Sequence, residues 1–208
     1  MRHCGRSRGA AGRLAPLAPG ERGLTTVDLV DRPCDDRAGG WAGVMPATAS
    51  VIDASRARHA AGFMSTHFRL ARLQALARTR TVGLVFDLVN ARWTFRVCSD
   101  GNGNGLRRAD LAAGVDPCAP EVHDVAQLFP GMAIGVDPQL RGPAGEPGSG
   151  DPVRFGVSDI LSFSTGGTCT AGTLFLRSSQ GTQYAVRISN VTTRTRLLRY
   201  EAGQWVPA

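Results

Sequence analysis

Ala60-Ala61-Gly62-Phe63-Met64-Ser65-Thr66-His67-Phe68-Arg69-Leu70-Ala71-Arg72-Leu73-Gln74-Ala75 is the centre of a longer stretch, Ala47–Arg78, whose reading decides the fold. The stretch contains Gly62 but no Pro, and it is rich in Ala, Leu and Arg. Phe63, Met64, Phe68, Ala71 and Ala75 recur at spacings of three and four, which lines them up on one face of an α-helix. Arg56, Arg58, Arg69, Arg72 and Arg78 fall mainly off that stripe. The spacing predicts one amphipathic helix, roughly 45 Å long at 1.5 Å per residue. His59 and His67 stand two turns apart on it with no carboxylate beside them, and they read as surface or packing residues, not ligands.

The period changes at Thr79. Thr81–Asp87 and Arg92–Val97 read as strands joined by a hairpin over Leu88–Ala91, with Asn90 in the turn. Trp93, Phe95 and Val97 would share one face of the second strand, with Thr94 and Arg96 on the other. Val125–Phe129 is followed by a turn at Pro130-Gly131. The segment 137–152 is rich in Gly and Pro, has no apolar anchor beyond Leu140, and reads as a flexible excursion. Ile160–Ser164, Gly172–Arg177, Tyr184–Ile188 and Thr195–Tyr200 are four further strands, expected to form an antiparallel meander. The class is α+β: a long N-terminal helix followed by an antiparallel, β-rich domain.

Two features invite site readings. Asp100-Gly101-Asn102-Gly103-Asn104-Gly105 matches the first half of a calcium loop, with Asp100, Asn102 and Asn104 offering oxygens at alternate positions. Leu111 stands where such a loop needs its bidentate Glu, and Arg107 and Arg108 oppose a cation. The alternatives are a structural turn and a weak calcium site. Cys98 and Cys118 flank this loop and would suit a disulfide in an oxidising compartment, the other reading being two ordinary small residues. Cys4, Cys34 and Cys169 are scattered, and no C-x-x-C exists, which argues against zinc-ribbon and thioredoxin-type sites. No serine lies in a G-x-S-x-G, so a Ser/His/Asp hydrolase built on His123 and Asp124 has little support.

The 208 residues carry a formal charge of +7, and all the basic side chains are Arg. Absence of Lys beside abundant Ala, Gly and Arg points to a GC-rich coding sequence and discounts the charge as a sign of nucleic-acid binding. Residues 1–23 form a basic leader without the apolar core of a secretory signal. It ends at Gly23, and across that point the chain reads Arg22-Gly23-Leu24-Thr25-Thr26-Val27-Asp28-Leu29-Val30. No run of about 20 apolar residues follows, so no standard transmembrane helix is visible. Instead residues 31–41 hold charges and Pro33, which a bilayer-spanning helix would not tolerate.

A basic leader ending in Gly, an apolar residue, and a carboxylate five positions past the Gly resemble the processing site of type IV prepilins and type II secretion pseudopilins. The helix ending at Arg78, the strand pair with Trp93, the Asp-Gly-Asn-Gly-Asn-Gly loop, Gly166-Gly167 and the final strands extend the likeness over about residues 43–205. Together they resemble the GspH/FimT-type minor pseudopilins. The resemblance implies cleavage by prepilin peptidase between Gly23 and Leu24, with Asp28 in place of the family's Glu. It further implies a stalk over 24–78, a periplasmic domain over 79–208, single-pass anchoring in a bacterial inner membrane, and assembly with other minor pseudopilins in protein export. No catalytic role is implied. The polar segment 31–41 departs from the family; it reflects either a local disruption of the coding frame or a natural subunit with a defective anchor.

The competing reading is a type IV pilus minor pilin that binds DNA for uptake. FimT-like proteins carry a C-terminal Gly-Arg-x-Arg pattern, and this chain has Thr193-Arg194-Thr195-Arg196, matching the arginines but not the Gly. Arg187 and Arg199 lie close by in sequence. Arginines at alternate positions of one strand face one side and can grip successive phosphates, or they form an ordinary solvated strand face.

Overall fold

A computed structural model describes residues 44–190 and 192–208. Gly23, Leu24, Asp28 and the segment 31–41 lie outside the described residues. The described chain is α+β, one long helix followed by antiparallel sheets.

Helix α1 runs Val44–Arg78, and takes in Pro46 in its first turn, where the missing N–H costs no intrahelical bond. Its end is explicit. Thr79 enters the left-handed region at φ 50°, and the Arg80 N–H reaches back to the Ala75 carbonyl at 3.3 Å, which closes the last turn. The buried stripe is Ala57, Ala60, Ala61, Met64, Phe68, Ala71 and Ala75, about two turns longer at its N-terminal end than the sequence stripe, with Phe63 only partly covered. Five of these seven are Ala, so the helix axis can approach the sheets closely.

The first sheet has the order β3-β2-β1-β6, from β1 (Val82–Val89), β2 (Arg92–Ser99), β3 (His123–Asp124) and β6 (Ile160–Phe163). The hairpin is tighter than the sequence suggested. Val89 pairs with Arg92, and the turn is Asn90-Ala91 alone, at φ 51° and 60°. Two successive positive φ angles match the right-handed strand twist of a two-residue hairpin. Short helices α2 (Arg108–Ala112) and α3 (Val125–Leu128) lie between β2 and β4 (Met132–Ile134).

The second sheet has the order β10-β9-β8-β7-β4, from β7 (Gly172–Ser178), β8 (Gln183–Ile188), β9 (Thr195–Glu201) and β10 (Gln204–Pro207), with β5 (Val153–Arg154) also on β7. The expected four-strand meander is thereby corrected. Its first member, β6, pairs with β1 in the other sheet, Leu84 opposite Leu161 and Val82 opposite Phe163. The reason is burial on both faces. Leu161 and Phe163 enter the main core, while Ile160 packs with Val85 and Cys98 on the far side. The meander closes instead with β10, a strand the sequence reading did not include.

α1 lies across both sheets, sharing one core with Leu84 and Phe86 of the first and Leu174 and Val186 of the second. Near its exposed start, the Asp53 carboxylate accepts hydrogen bonds from Ser178 Oγ at 2.7 Å and Thr182 Oγ1 at 2.8 Å, tying the helix to the β7–β8 turn. The segment 137–152 has polar anchors in place of the missing apolar ones. Asp137 N–H donates to Gln183 Oε1, Gly142 N–H to the Glu146 carbonyl, and Trp205 Nε1–H to the Arg141 carbonyl.

Candidate functional site

The outer face of the second sheet carries the arginines singled out from the sequence, and strand parity sorts them. On β8, Ala185 and Arg187 point away from α1, because Tyr184, Val186 and Ile188 are in the helix-side core. On β9, Leu197 packs on the helix side and Leu198 on the outer side. Arg194 and Arg196 therefore share the outer face with Arg187, which stands directly opposite Arg196 across the ladder. Arg187, Arg194 and Arg196 line one groove of about 440 Å³ together with Trp205. Arg199 does not belong with them. Odd parity turns it to the helix side, beside Arg58 and His59, and it pairs with Glu201.

Charge on this face is only partly neutralised. Arg187 sits 3.9 Å from Glu146 and Arg177 3.9 Å from Asp137, whereas Arg194 and Arg196 are exposed and have no acidic partner among the described residues. Trp205 packs against Phe175 and Tyr200, with ring centroids 5.6 and 5.2 Å away, which holds the indole at the groove wall. Thr193, where the family pattern has Gly, has φ 49°. That is the left-handed region Gly occupies without strain, so the position makes the demand a Gly would meet.

The calcium-like loop is built from its own amides. Asp100 Oδ1 accepts from the N–H groups of Asn102 and Gly103 at 3.1 and 2.7 Å, and Oδ2 from Gly105 at 2.8 Å. Asp116 accepts from Gly101 and Arg107, and Asn102 Oδ1 from the Asn104 N–H. Burial opposes ionisation of Asp100, but the amides of Gly105, Gly103, Asn102 and Asn104 outweigh it and hold the carboxyl below the usual range. Oxygens that accept several backbone donors in this pattern build a hydrogen-bonded turn. Among the described residues no group of three His, Cys, Asp or Glu side chains is placed to hold a metal ion.

Cys98 and Cys118 are joined in a disulfide. Ser99 N–H donates to the Pro117 carbonyl and Ala119 N–H to the Val97 carbonyl, which holds the two cysteines opposite each other. Asp124 caps α3 by accepting from the Ala126 N–H at 2.8 Å and pairs with Arg92. Its carboxylate is thus committed away from a His123 relay.

His67 meets a partner that the sequence does not reveal. His123, 56 positions away, lies 5.1 Å from it between ring centroids, and both line the cavity beside the disulfide with Glu121 and Arg78. Burial lowers the His67 pKa most. The Phe63 carbonyl at Nδ1 opposes that shift, and the charge of His123 adds to it. The fold therefore binds this proton less readily than the unfolded chain does. Stability should be intact above the ordinary histidine pKa of about 6.5 and should fall as pH drops below it toward the depressed folded value. Urea midpoints measured from pH 7.5 to 5 should decline, and His67→Gln should flatten the decline. Equal slopes for both proteins would exclude His67 as the cause.

No family model, curated protein or solved structure matches this chain.

Proposed function

We propose that this protein is a minor pseudopilin of the GspH/FimT type, a structural subunit of a type II secretion pseudopilus. The observation that carries this reading is the 35-residue α1 laid across an antiparallel β domain, downstream of Gly23-Leu24 and Asp28. In this reading prepilin peptidase cleaves after Gly23, and the new N-terminus is methylated. The helical region tethers the β domain to the periplasmic side of the inner membrane, and Asp28 neutralises the N-terminal amine of a neighbouring subunit. A buried pair of that kind sets register more than it adds stability. Among the described residues no helix is long and apolar enough to cross a membrane. The disulfide accords with an oxidising periplasm.

The test is to isolate the protein from its native cell's membranes and sequence the mature N-terminus. The expected product begins at Leu24 and is methylated; an intact Met1 in a soluble fraction would overturn the reading.

A second reading, a FimT-like pilin that binds DNA, is favoured by the convergence of Arg187, Arg194 and Arg196 on one face. It predicts binding to duplex DNA that weakens steeply with salt. The Arg194→Gln/Arg196→Gln double variant should lower the slope of log K against log salt by about two. A salt-independent signal, or one the variant leaves unchanged, would remove this reading.

A further inference from the structure

A different groove runs between the C-terminal half of α1 and the start of β9, with a volume of about 660 Å³. Leu73, Leu76 and Phe163 form its apolar wall, and Arg69, Arg72 and Arg194 its charged rim. No acidic side chain lines it, and among the described residues none of the three arginines forms an ion pair. The wall is open to solvent, with Leu73 60% and Leu76 45% exposed. Arg72 adds a more pointed observation. Its Nε is shielded from water and has no hydrogen-bond partner, so one edge of the guanidinium fork is unsatisfied beside the groove. An unpaired buried donor of this kind is costly and gains from a ligand that pairs it.

We propose that this groove binds a small amphiphile with one anionic head, a long-chain carboxylate. Three uncompensated guanidinium groups beside an apolar wall match that chemistry and no neutral ligand of the same shape. A carboxylate accepts two parallel N–H bonds from a guanidinium edge, and a small turn of the Arg72 side chain would present its Nε–H and one Nη–H for that contact. The acyl chain would cover Leu73, Leu76 and Phe163. The volume is that of a site for a single small molecule. Arg187 and Arg196 lie on the outer face and take no part, whereas Arg194 stands between the two grooves and lines both, so Arg69 and Arg72 distinguish this one from the polyanion face. The inference rests on the described fold and not on the pseudopilin reading.

The test is calorimetric titration of the full chain with dodecanoate below its micellar concentration, beside acetate, dodecanol and vesicles of anionic phospholipid. Dodecanoate should bind at one site, and acetate and dodecanol at least tenfold more weakly. Arg72→Gln and Arg194→Gln should each weaken dodecanoate tenfold or more, while Arg196→Gln should not. Thermal melts check the variants, and the exposed Arg194→Gln decides the matter if Arg72→Gln fails to fold. Equal affinity for dodecanol would overturn the proposal by showing an apolar patch without head-group recognition. Binding to vesicles but not to free dodecanoate would overturn it in favour of a membrane surface, and dodecanoate binding unchanged in Arg194→Gln would place the ligand elsewhere.

Discussion

Phe155→Ala should cost about 3–5 kcal/mol of folding stability, enough to leave a domain of ordinary stability barely folded. The ring belongs to no strand, yet it is fully buried where the helix meets both sheets. It stacks on Phe86 of β1 with centroids 5.6 Å apart and meets Phe68 of α1 edge-on at 5.9 Å. On the side of the second sheet it fills the space beside Gly172. A Cβ added there would lie 2.4 Å from Phe155 Cδ1 and 2.2 Å from the Arg154 carbonyl oxygen. Truncation would empty one site that three elements share, and neither backbone can follow inward without breaking a ladder. The check is urea denaturation followed by far-ultraviolet circular dichroism, comparing midpoints at constant slope. Phe155→Leu should lose less, because it refills most of the volume. A loss below about 1 kcal/mol for the Ala variant would mean that the site collapses and that the ring does not join the layers.

Opening the Cys98–Cys118 disulfide is the other large effect. The bond spans a sequence separation of 20, and the chain-entropy account of such a loop predicts a loss of about 3 kcal/mol. Hydrogen bonds from backbone N–H groups to the Asp100 and Asp116 carboxylates already order part of that loop in the folded state, and they survive reduction only while the protein is folded. The Cys98→Ala/Cys118→Ala variant and reduced wild type should therefore unfold at similar, lower urea concentrations, and reductant should not move the variant further. Reduced wild type unfolding at the oxidised midpoint would show that the loop's own hydrogen bonds suffice. Cys169 is the internal control, a free thiol whose pKa burial raises, with Arg72 opposing, so it should compete poorly for exchange.

These two effects mark where sequence reading succeeded and where it stopped. Periodicity located α1 because seven buried positions repeat at three and four, a pattern that local geometry imposes on any helix with one covered face. Alternation marks β2, β7, β8 and β9, and the turn at Asn90 marks β1 as the hairpin partner of β2. β6 reads as a strand from sequence, but a four-residue strand buried on both faces carries no mark of its neighbour, so its sheet is not legible there. β10 escaped because Gln204–Pro207 is short, lies at an edge and includes a Pro. Arg194 and Arg196, spaced by two, line one groove, whereas Arg199 is near them only in sequence and parity sends it to the opposite face.

The sequence by itself determined the α+β class, the extent of the helix to within a turn, the pairing direction of the hairpins and the separation of Arg194 and Arg196 by one pleat. Each is a property of neighbouring residues and follows from backbone period and turn chemistry. Only the tertiary structure decided that Asp100 serves its own loop amides, that His67 lies against His123, and that Phe155 needs a Gly at 172. It also decided that Arg69 and Arg72 share a groove with Arg194 across more than 120 positions of chain. Those contacts depend on which faces two sheets and a helix bury against one another, and burial is settled by the whole chain at once.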